Sequence, residues 1–316
     1  MSAQTTVKKP SGTPPIRRLA KRLWQDRYMH LLVLPALIWL IVFAYTPMYG
    51  LTIAFKKYNV RLGIMGSPWI GTTYFQQFFE SIYFGRLIRN TVLLSVYSVL
   101  FSFPVPIIFS LLLNEIPFRR YRNTLQTVSY YPNFVSTVIV VGILRLMVNL
   151  DYGIINKFIK VFGGEAIAFM DSDRWFRPLY IITSIWQSFG WNSIIYLAAL
   201  VGVSPELHEA ASIDGANRFQ RVFHISLPTI APTIIIMLLL SLSGIMNVGS
   251  DKVLLMYNPG IYETSDIIST YVHRQGIESG NFSFATAVGL FNSVINFLLI
   301  VVFNRIARGV SEVSLW

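Results

Sequence analysis

The sequence contains no cysteine, and only 13% of its 316 residues carry a charge. The lack of cysteine excludes disulfide scaffolds and every site that needs a thiolate, as a nucleophile or as a metal ligand. The charged fraction is low, because soluble globular domains carry about 25% charged residues. Hydrophobic residues make up 53% of the chain, and its mean hydropathy is +0.53. This composition favours a membrane protein over a soluble one.

Motifs for catalysis are missing as well. The GxxxxGK[ST] loop that cradles nucleotide phosphates does not occur in the sequence, so the chain is not predicted to bind ATP by that route. The four histidines, at positions 30, 208, 224 and 273, have no metal-ligand spacing such as HExxH. We therefore predict no catalytic residue, no metal site and no cofactor in this chain.

Six apolar segments are each long enough to cross the hydrocarbon core of a bilayer, which takes about 20 residues. They lie at about 30–53, 91–113, 127–148, 179–201, 229–247 and 284–304. The first is too long for a signal-peptide core and lacks a small-residue cleavage site, so it is predicted to stay as an anchor. The expected fold is an all-α membrane protein with six transmembrane helices over residues 29–316, preceded by a basic arm, 1–28.

The net charge of +11 is spread unevenly, and its distribution predicts the topology. With the N-terminus inside, the inner segments 1–28, 114–126, 202–228 and 305–316 hold 14 Lys and Arg against six acids. The outer segments hold 11 against nine. The positive-inside rule therefore predicts that both termini are cytoplasmic. Because topology accounts for the positive charge, the lipid bilayer is an expected partner and nucleic acid is not.

A polar island at 202–228 separates the fourth and fifth apolar segments. Its Ser204-Pro205-Glu206 sequence predicts a helix start, with a capping hydroxyl, a proline at the first position and an acid near the positive dipole end. Gly215 is unfavourable inside a helix by about 1 kcal/mol relative to alanine, so it is predicted to bend this helix or to end its first part. A short polar helix between two spans is predicted to dock into a partner.

The same island carries a motif with fixed spacing. Glu209-Ala210-Ala211, Gly215, Ile225 and Leu227-Pro228 match the EAA loop of ABC importer permeases. By this loop the chain resembles type I permeases of the carbohydrate branch, the maltose-type and lipoprotein-gene-cluster-type proteins. Two shorter stretches, Arg89-Asn90-Thr91 and 151–156, resemble elements that recur in sugar permeases.

The resemblance implies a subunit of an ATP-driven importer of carbohydrate, an oligosaccharide rather than a monosaccharide, in a bacterial plasma membrane. The implied partners are a second homologous permease, two cytoplasmic ATPase subunits that bind ATP and Mg, and an extracytoplasmic solute-binding protein. The island would form the coupling helix, over 204–222, in a cleft of the ATPase. The residues expected to make this contact are Glu209, Ala210, Ala211, Asp214, Gly215, Ala216 and Arg218.

Alignment with the maltose-type permeases also implies a substrate path. The implied positions are Trp186, Phe189, Gly190 and Ser193 in the fourth span, and Ser241, Gly244 and Asn247 in the fifth. Amides, hydroxyls and aromatic rings suit a sugar, but the same residue types also pack helices against one another. An acidic oligosaccharide also stays open as the substrate, because the outer segments contain the basic residues Arg61, Arg145, Arg174 and Arg177.

Three alternatives remain open at this point. An ion-coupled secondary sugar transporter would often carry carboxylates within its spans, and the apolar segments lack them. An ABC permease for a non-sugar solute would share the EAA loop. A membrane scaffold could use the cytoplasmic helix to recruit a partner without transporting anything.

Overall fold

A computed structural model describes residues 24–246 and 248–310 of the chain. Across these residues the secondary structure is helical, and the only β-bridge, between Lys56 and Trp69, is isolated. The predictions made for the basic arm at 1–23 and for Asn247 lie outside the described residues.

The helices are named here in chain order. They are α1 (Arg27–Phe55), α2 (Gly63–Gly66), α3 (Thr73–Phe79), α4 (Phe84–Asn114), α5 (Arg119–Tyr130), α6 (Thr137–Met147), α7 (Ile154–Val161), α8 (Asp173–Val201), α9 (Pro205–Ile213), α10 (Arg218–Leu242), α11 (Ser250–Met256), α12 (Tyr262–Ser265), α13 (Ile268–His273) and α14 (Phe282–Val310). Single π-helical turns lie within α1, α4 and α10, and another, Arg274–Glu278, follows α13.

Four of these helices, α1, α4, α10 and α14, are long and apolar enough to cross a membrane. Two more candidates are bent pairs, because α5 with its following turn meets α6 at 97° and α8 meets α9 at 73°. The described residues therefore supply four spans, or up to six if each bent pair counts as one. The all-helical membrane fold agrees with the sequence prediction, whereas the number of six spans and the cytoplasmic termini stay predictions.

The third predicted span, 127–148, is not one continuous helix. Helix α5 ends at Tyr130, a 3-10 turn containing Pro132 follows, and the backbone is extended at Ser136 before α6 begins. Pro132 has no N–H to donate, so the helical hydrogen-bond pattern is interrupted there, and the backbone becomes extended at Val135 and Ser136. Ser136 then caps α6, since its Oγ accepts a hydrogen bond from the Ile139 N–H at 3.4 Å. The first half of the predicted span is less apolar than the second, and its Pro132 was the available signal for the break.

Two apolar clusters hold the bundle together. One joins α4, α6, α8 and α11, and its buried members include Leu94, Val141, Phe176, Val253 and Met256. The other joins α3, α4, α13 and α14, and its buried members include Phe78, Leu87, Ile268, Phe284 and Val288. The two clusters meet at α4, which places this helix at the centre of the bundle.

Helix α1 differs from the other candidate spans. None of the residues in its apolar 18-residue window is buried, and its main contact with the bundle is that of its last turns, Tyr49–Phe55, with α14. A contiguous apolar surface of this size is unfavourable in water, so it must be covered by lipid or by another subunit.

Candidate functional site

Helix α9 begins as the sequence predicts. Pro205 occupies the first turn, Glu206 follows it there, and Ser204 is the N-cap residue with an extended backbone. The Ser204 side chain makes no capping hydrogen bond, so proline and the acid provide the start signal that the structure uses. Helix α9 contains no buried residue and leaves α8 at 73°. It therefore projects from one end of the bundle.

The end of α9 is a Schellman motif built on Gly215. This glycine has φ +84°, its N–H donates to the Ser212 carbonyl at 3.2 Å, and the Ala216 N–H donates to the Ala211 carbonyl at 2.8 Å. The left-handed conformation costs an L-residue with a Cβ roughly 1–2 kcal/mol, and glycine avoids that cost. Of the two predicted roles, bending the helix or ending it, the structure has the second, because α9 stops at Ile213.

The prediction of a single coupling helix over 204–222 is therefore wrong. The structure has two helices there, α9 and the start of α10. Helix α10 begins at Arg218 with a capping box, in which Asn217 Oδ1 accepts from the Gln220 N–H at 2.9 Å. In return, the Asn217 N–H donates to Gln220 Oε1 at 2.7 Å. The Asn-x-x-Gln spacing signals this start, which was not among the predictions. The turn 214–217 thus links α9 directly to a candidate spanning helix.

Side chains also tie α9 to α10. Arg221 Nη1 donates a hydrogen bond to Ser212 Oγ, and His208 Nε2 lies 3.5 Å from Ser226 Oγ. A cavity of about 350 Å³ lies where the two helices meet, lined by residues that include Ala211, Asp214 and Gly215. Side-chain contacts therefore join the two helices in addition to the turn between them.

The predicted coupling residues lie together on this projecting surface. Five of them, Glu209, Ala210, Asp214, Gly215 and Arg218, are exposed, and the other two, Ala211 and Ala216, are half-buried. Among the described residues no ion pair joins Glu209 to Arg218.

Two large apolar residues on the same surface were missed. Ile213 is 86% exposed and Phe219 is 75% exposed, one at each side of the Gly215 turn. Isolated apolar residues within a polar island were the available signal. Together with the neighbouring acids they give α9 and its turn a mixed polar and apolar surface, typical of a protein contact.

A second feature is a cavity of about 410 Å³ among α4, α8 and α10, which we call the central cavity. Ser241 and Gly244, both predicted for the substrate path, line it. Helix α4 supplies Ser98 and Ser102 from its π-helical turn, and the buried hydroxyl oxygens of these serines lack a hydrogen-bond partner among the described residues. Such π-helical turns are frequent at functional sites. The sequence analysis did not assign α4 to the path.

The predicted residues of the fourth span have structural partners. A Cβ on Gly190 would lie 2.1 Å from the Ser129 carbonyl oxygen, so glycine is what lets α8 approach α5 here. Ser193 is buried and donates to the Gly190 carbonyl at 2.6 Å. Phe189 packs edge-on against Phe109, with ring centroids 4.9 Å apart. Their contact with substrate stays a prediction, as does that of Trp186, whose side chain is partly exposed.

A third feature, which we call the polar cavity, has a volume of about 440 Å³ and lies among α6, α8 and α11. Its lining is formed by amides, hydroxyls, one ammonium and one carboxylate, together with Gly249: Asn133, Thr137, Tyr180, Ser184, Gln187, Ser188, Gly249, Ser250, Asp251 and Lys252. Lys252 is only 6% exposed, and its Nζ donates to Ser184 Oγ at 2.8 Å. Sequence analysis missed Lys252, because a single lysine in an outer segment looks like a solvated charge.

The end of the bundle opposite α9 is held by a buried acid. Asp266 is fully buried, and its Oδ2 lies 3.1 Å from Arg86 Nη2 and 2.8 Å from Arg274 Nη2. Thr270 Oγ1 donates to its other oxygen at 3.0 Å. Burial lowers the pKa of Arg274, but the hydrogen bond and charge of Asp266 outweigh this and raise it above the usual value. The Asp266 network thus joins α4 to the segment that leads into α14.

The Arg89-Asn90-Thr91 stretch belongs to the same network. Asn90 Nδ2 donates to the carbonyls of Glu263 and Asp266, both at 3.0 Å, and Asn90 Oδ1 accepts from Arg177 Nη2 at 2.9 Å. Arg89 pairs with Glu263 at 2.6 Å, and this hydrogen bond lowers the pKa of the Glu263 carboxyl. The motif therefore fixes the N-terminal ends of α4 and α8 to one another.

The 151–156 stretch likewise has a structural role. Asn156 is buried, its Nδ2 donates to three carbonyls, those of Val148, Asn149 and Ile167, and its Oδ1 accepts from the Ile167 N–H at 2.8 Å. One amide therefore closes the connection between α6 and α8.

Comparison with known proteins agrees with this arrangement. The model of the family described as "binding-protein-dependent transport system inner membrane component" matches residues 81–312. The polygalacturonan/rhamnogalacturonan transport system permease protein YteP of Bacillus subtilis (strain 168) is 40% identical over 300 residues, covering 95% of this chain and 94% of YteP.

Two solved structures are similar over almost the whole chain. One is a bacterial ABC transporter involved in the import of the acidic polysaccharide alginate, with a TM-score of 0.87 and 39% identity, covering 93% of this chain and 99% of the other. The second is a bacterial alginate ABC transporter in complex with an alginate pentasaccharide-bound periplasmic protein, with a TM-score of 0.88 and 38% identity, covering 94% of this chain and all of the other. The resemblance inferred from the EAA loop is confirmed, and the chain belongs to the family of binding-protein-dependent transport system inner membrane components.

Proposed function

We propose that the chain is a permease subunit of an ATP-driven, binding-protein-dependent importer of carbohydrate, and that its substrate is an oligosaccharide. The observation that carries this proposal is the projecting helix α9, which ends in the Gly215 turn and passes directly into a candidate spanning helix. Near full-length similarity to YteP and to the permease of the alginate transporter supports the substrate class.

In this function α9 is the coupling helix. Two cytoplasmic ATPase subunits would bind ATP and Mg, and one of them would hold α9 in a cleft. Ile213 and Phe219 would supply apolar contact, while Glu209 and Asp214 would make polar contacts at the rim. Gly215 preserves the turn that brings these side chains together.

Closure of the ATPase pair would move α9 and, through the Asn217 capping box and the Arg221–Ser212 bond, α10. A ligand shifts a conformational equilibrium only by binding one state better than the other. ATP therefore drives alternating access if the closed ATPase pair accepts α9 in one position only. The central cavity borders α10, so its lining changes when this helix moves.

The remaining parts of the complex follow from the same proposal. Helix α9 and both termini face the cytoplasm, and the Asp266 end faces outward towards a solute-binding protein. A second homologous permease covers part of this chain, and the unburied apolar surface of α1 is available for that contact. The central cavity, at about 410 Å³, lies within the range of ligand pockets, roughly 300–1,000 Å³, so it can hold part of an oligosaccharide.

Co-purification tests the coupling role. The tagged chain is isolated in mild detergent from its native membrane, as wild type and as Glu209→Lys, and the accompanying subunits are identified by mass spectrometry. We expect an ATPase subunit and a second permease with the wild type, and loss of the ATPase alone from the variant, since Glu209 is exposed and makes no ion pair among the described residues. Glu165→Lys, the same charge reversal on an exposed residue outside α9, serves as the control.

Two results would contradict the proposal. If no ATPase accompanies the wild type and uptake follows an ion gradient, the chain is a secondary transporter. If an ATPase accompanies the chain but only amino acids or inorganic ions are taken up, the chain is an ABC permease for a non-sugar solute.

A further inference from the structure

Lys252 is a buried cation that has no anionic partner among the residues that the structure describes. Its side chain lies against α8, where Nζ donates to Ser184 Oγ at 2.8 Å and lies 3.4 Å from the Tyr180 carbonyl oxygen. Within residues 24–246 and 248–310 no carboxylate forms an ion pair with it. Lysine is almost never this buried unless it is paired, because removing an ammonium from water is costly. Two neutral acceptors for three N–H donors leave room for one more acceptor.

The backbone around Lys252 fixes its position. Gly249, just before α11, has φ +26°, and a Cβ there would lie 2.1 Å from the Tyr180 hydroxyl. This close approach holds α11 against α8, and the Tyr180 ring centroid lies 5.2 Å from Lys252 Nζ. The ammonium is therefore held in place by the fold before any ligand arrives, which lowers the entropy cost of binding.

The surroundings of Lys252 suit a sugar acid. The polar cavity adds the amides of Asn133 and Gln187 and the hydroxyl of Ser188, groups that hydrogen-bond to sugar hydroxyls. It shares Tyr180, Ser184 and Gly249 with the central cavity, so the two cavities are adjacent. Asp251 is the only acid in its lining, and it forms no ion pair with Lys252.

Other basic residues of the outer segments suit this role less well. Arg177 is engaged by Asn90 Oδ1 at 2.9 Å, and Arg145 and Arg174 are exposed. An exposed cation stays hydrated and attracts anions weakly, whereas a charge held in a region of low dielectric attracts them strongly. Lys252 is therefore the cation that an anionic substrate would meet within the cavities.

We propose that Lys252 binds a carboxylate of an acidic oligosaccharide in the polar cavity, with the hydroxyls and amides of that cavity holding the sugar ring. This inference rests on the proposed function and narrows its substrate to carbohydrates that carry uronate groups. The polysaccharide substrates in the names of YteP and the alginate transporter are acidic in the same way.

The test compares probes that differ only in charge. The whole importer is purified as wild type, Lys252→Gln and Lys252→Arg, and binding of uronate trimers, from polygalacturonan and from alginate, is measured against their methyl esters without the solute-binding protein. We expect the wild type to prefer the acid and Lys252→Gln to lose about tenfold or more of that preference, since a hydrogen bond to a charged group is lost. Lys252→Arg should keep the preference. Lys157→Gln, on the exposed face of α7, removes the same charge elsewhere and should keep it too.

Each other outcome overturns the proposal. Equal loss of acid and ester binding in Lys252→Gln would mean that the lysine only supports the fold. Failure of this variant, but not of Lys157→Gln, to assemble with the second permease would mean that Lys252 pairs with an acid of that subunit. Uptake assays in proteoliposomes separate this inference from the proposed function: import of neutral oligosaccharides alone leaves the function standing and removes the carboxylate site, whereas no carbohydrate import removes both.

Discussion

The two ends of the bundle are built in opposite ways. At one end, α9 has no buried residue, and its acids make no ion pair among the described residues. At the other, Asp266 is fully buried and bound by Arg86, Arg274 and Thr270. The first end leaves its carboxylates to solvent, whereas the second pairs its buried carboxylate with two arginines of the same chain. Under the proposed function, this difference suits a molecule that receives motion at the first end and keeps its helices in register at the second.

The largest expected effect is a loss of stability, and it comes from removing the buried acid. Asp266→Ala would leave Arg86 and Arg274 without their shared carboxylate, and removing one partner of a buried pair costs about 3–5 kcal/mol. We expect a large drop in the unfolding temperature of the purified complex, measured by intrinsic fluorescence during heating. Glu263→Ala is the control, because the Glu263 carboxylate pairs with Arg89 in solvent, and the hydrogen bond from Asn90 goes to the Glu263 backbone carbonyl, which the substitution keeps. Equal effects of the two variants would mean that burial of Asp266 contributes little.

A substitution at the α9 end should act on the coupling of ATP hydrolysis to transport rather than on stability. Gly215→Val places a β-branched residue at φ +84°, where an L-residue pays roughly 1–2 kcal/mol or more, so the Schellman turn should open and α9 should shift. We expect uptake and sugar-stimulated ATP hydrolysis to fall by about tenfold, with assembly in the membrane retained.

The control for this change is Gly85→Val, where an added Cβ meets no atom within 4 Å and the backbone does not have positive φ. If uptake survives in Gly215→Val, the turn geometry is not what transmits the motion of the ATPase.

Sequence reasoning succeeded at the α9 end for a local reason. The signals at this end lie within a dozen residues: proline at the first turn, the acid after it, the alanines and Gly215. Their spacing alone therefore identifies the motif and predicts where the helix ends. The Asp266 network was invisible because Arg86 and Asp266 are 180 positions apart, and only folding brings them together. Hydropathy likewise found the apolar segments, but it did not detect the break at Pro132, which depends on backbone geometry.

Within the substrate path, residue type alone could not separate packing from lining. Gly190 and Ser193 resemble Gly244 and Ser241 in chemistry. Gly190 nevertheless lies against α5 and Ser193 is bonded to the Gly190 carbonyl, whereas Gly244 and Ser241 line the central cavity. Lys252 was missed for a related reason, since its burial depends on Gly249 allowing α11 to approach Tyr180. These distinctions follow from tertiary contacts that no short stretch encodes.

The smallest predicted effect is the pH dependence of acid binding, and it tests the role of Lys252, which lies between the two ends of the bundle. Burial lowers the pKa of Lys252 to about 8, so its ammonium is charged below that pH and neutral above it. The preference for a uronate trimer over its methyl ester should therefore be present below pH 8 and fall severalfold as the pH rises through about 8. A bound carboxylate favours the charged form, so saturating trimer should move the midpoint upwards.

Asp251 and Tyr180 are the other titratable groups in the lining of the polar cavity, and both remain in every variant compared. Lys252→Arg keeps its charge throughout the range, so its acid preference should not change with pH. Lys157→Arg, a replacement at an exposed position, should leave the pH dependence of the acid preference as it is in the wild type. A midpoint that persists in Lys252→Arg would assign the pH dependence to Asp251, to Tyr180 or to a group on a partner subunit, and would remove Lys252 as its source.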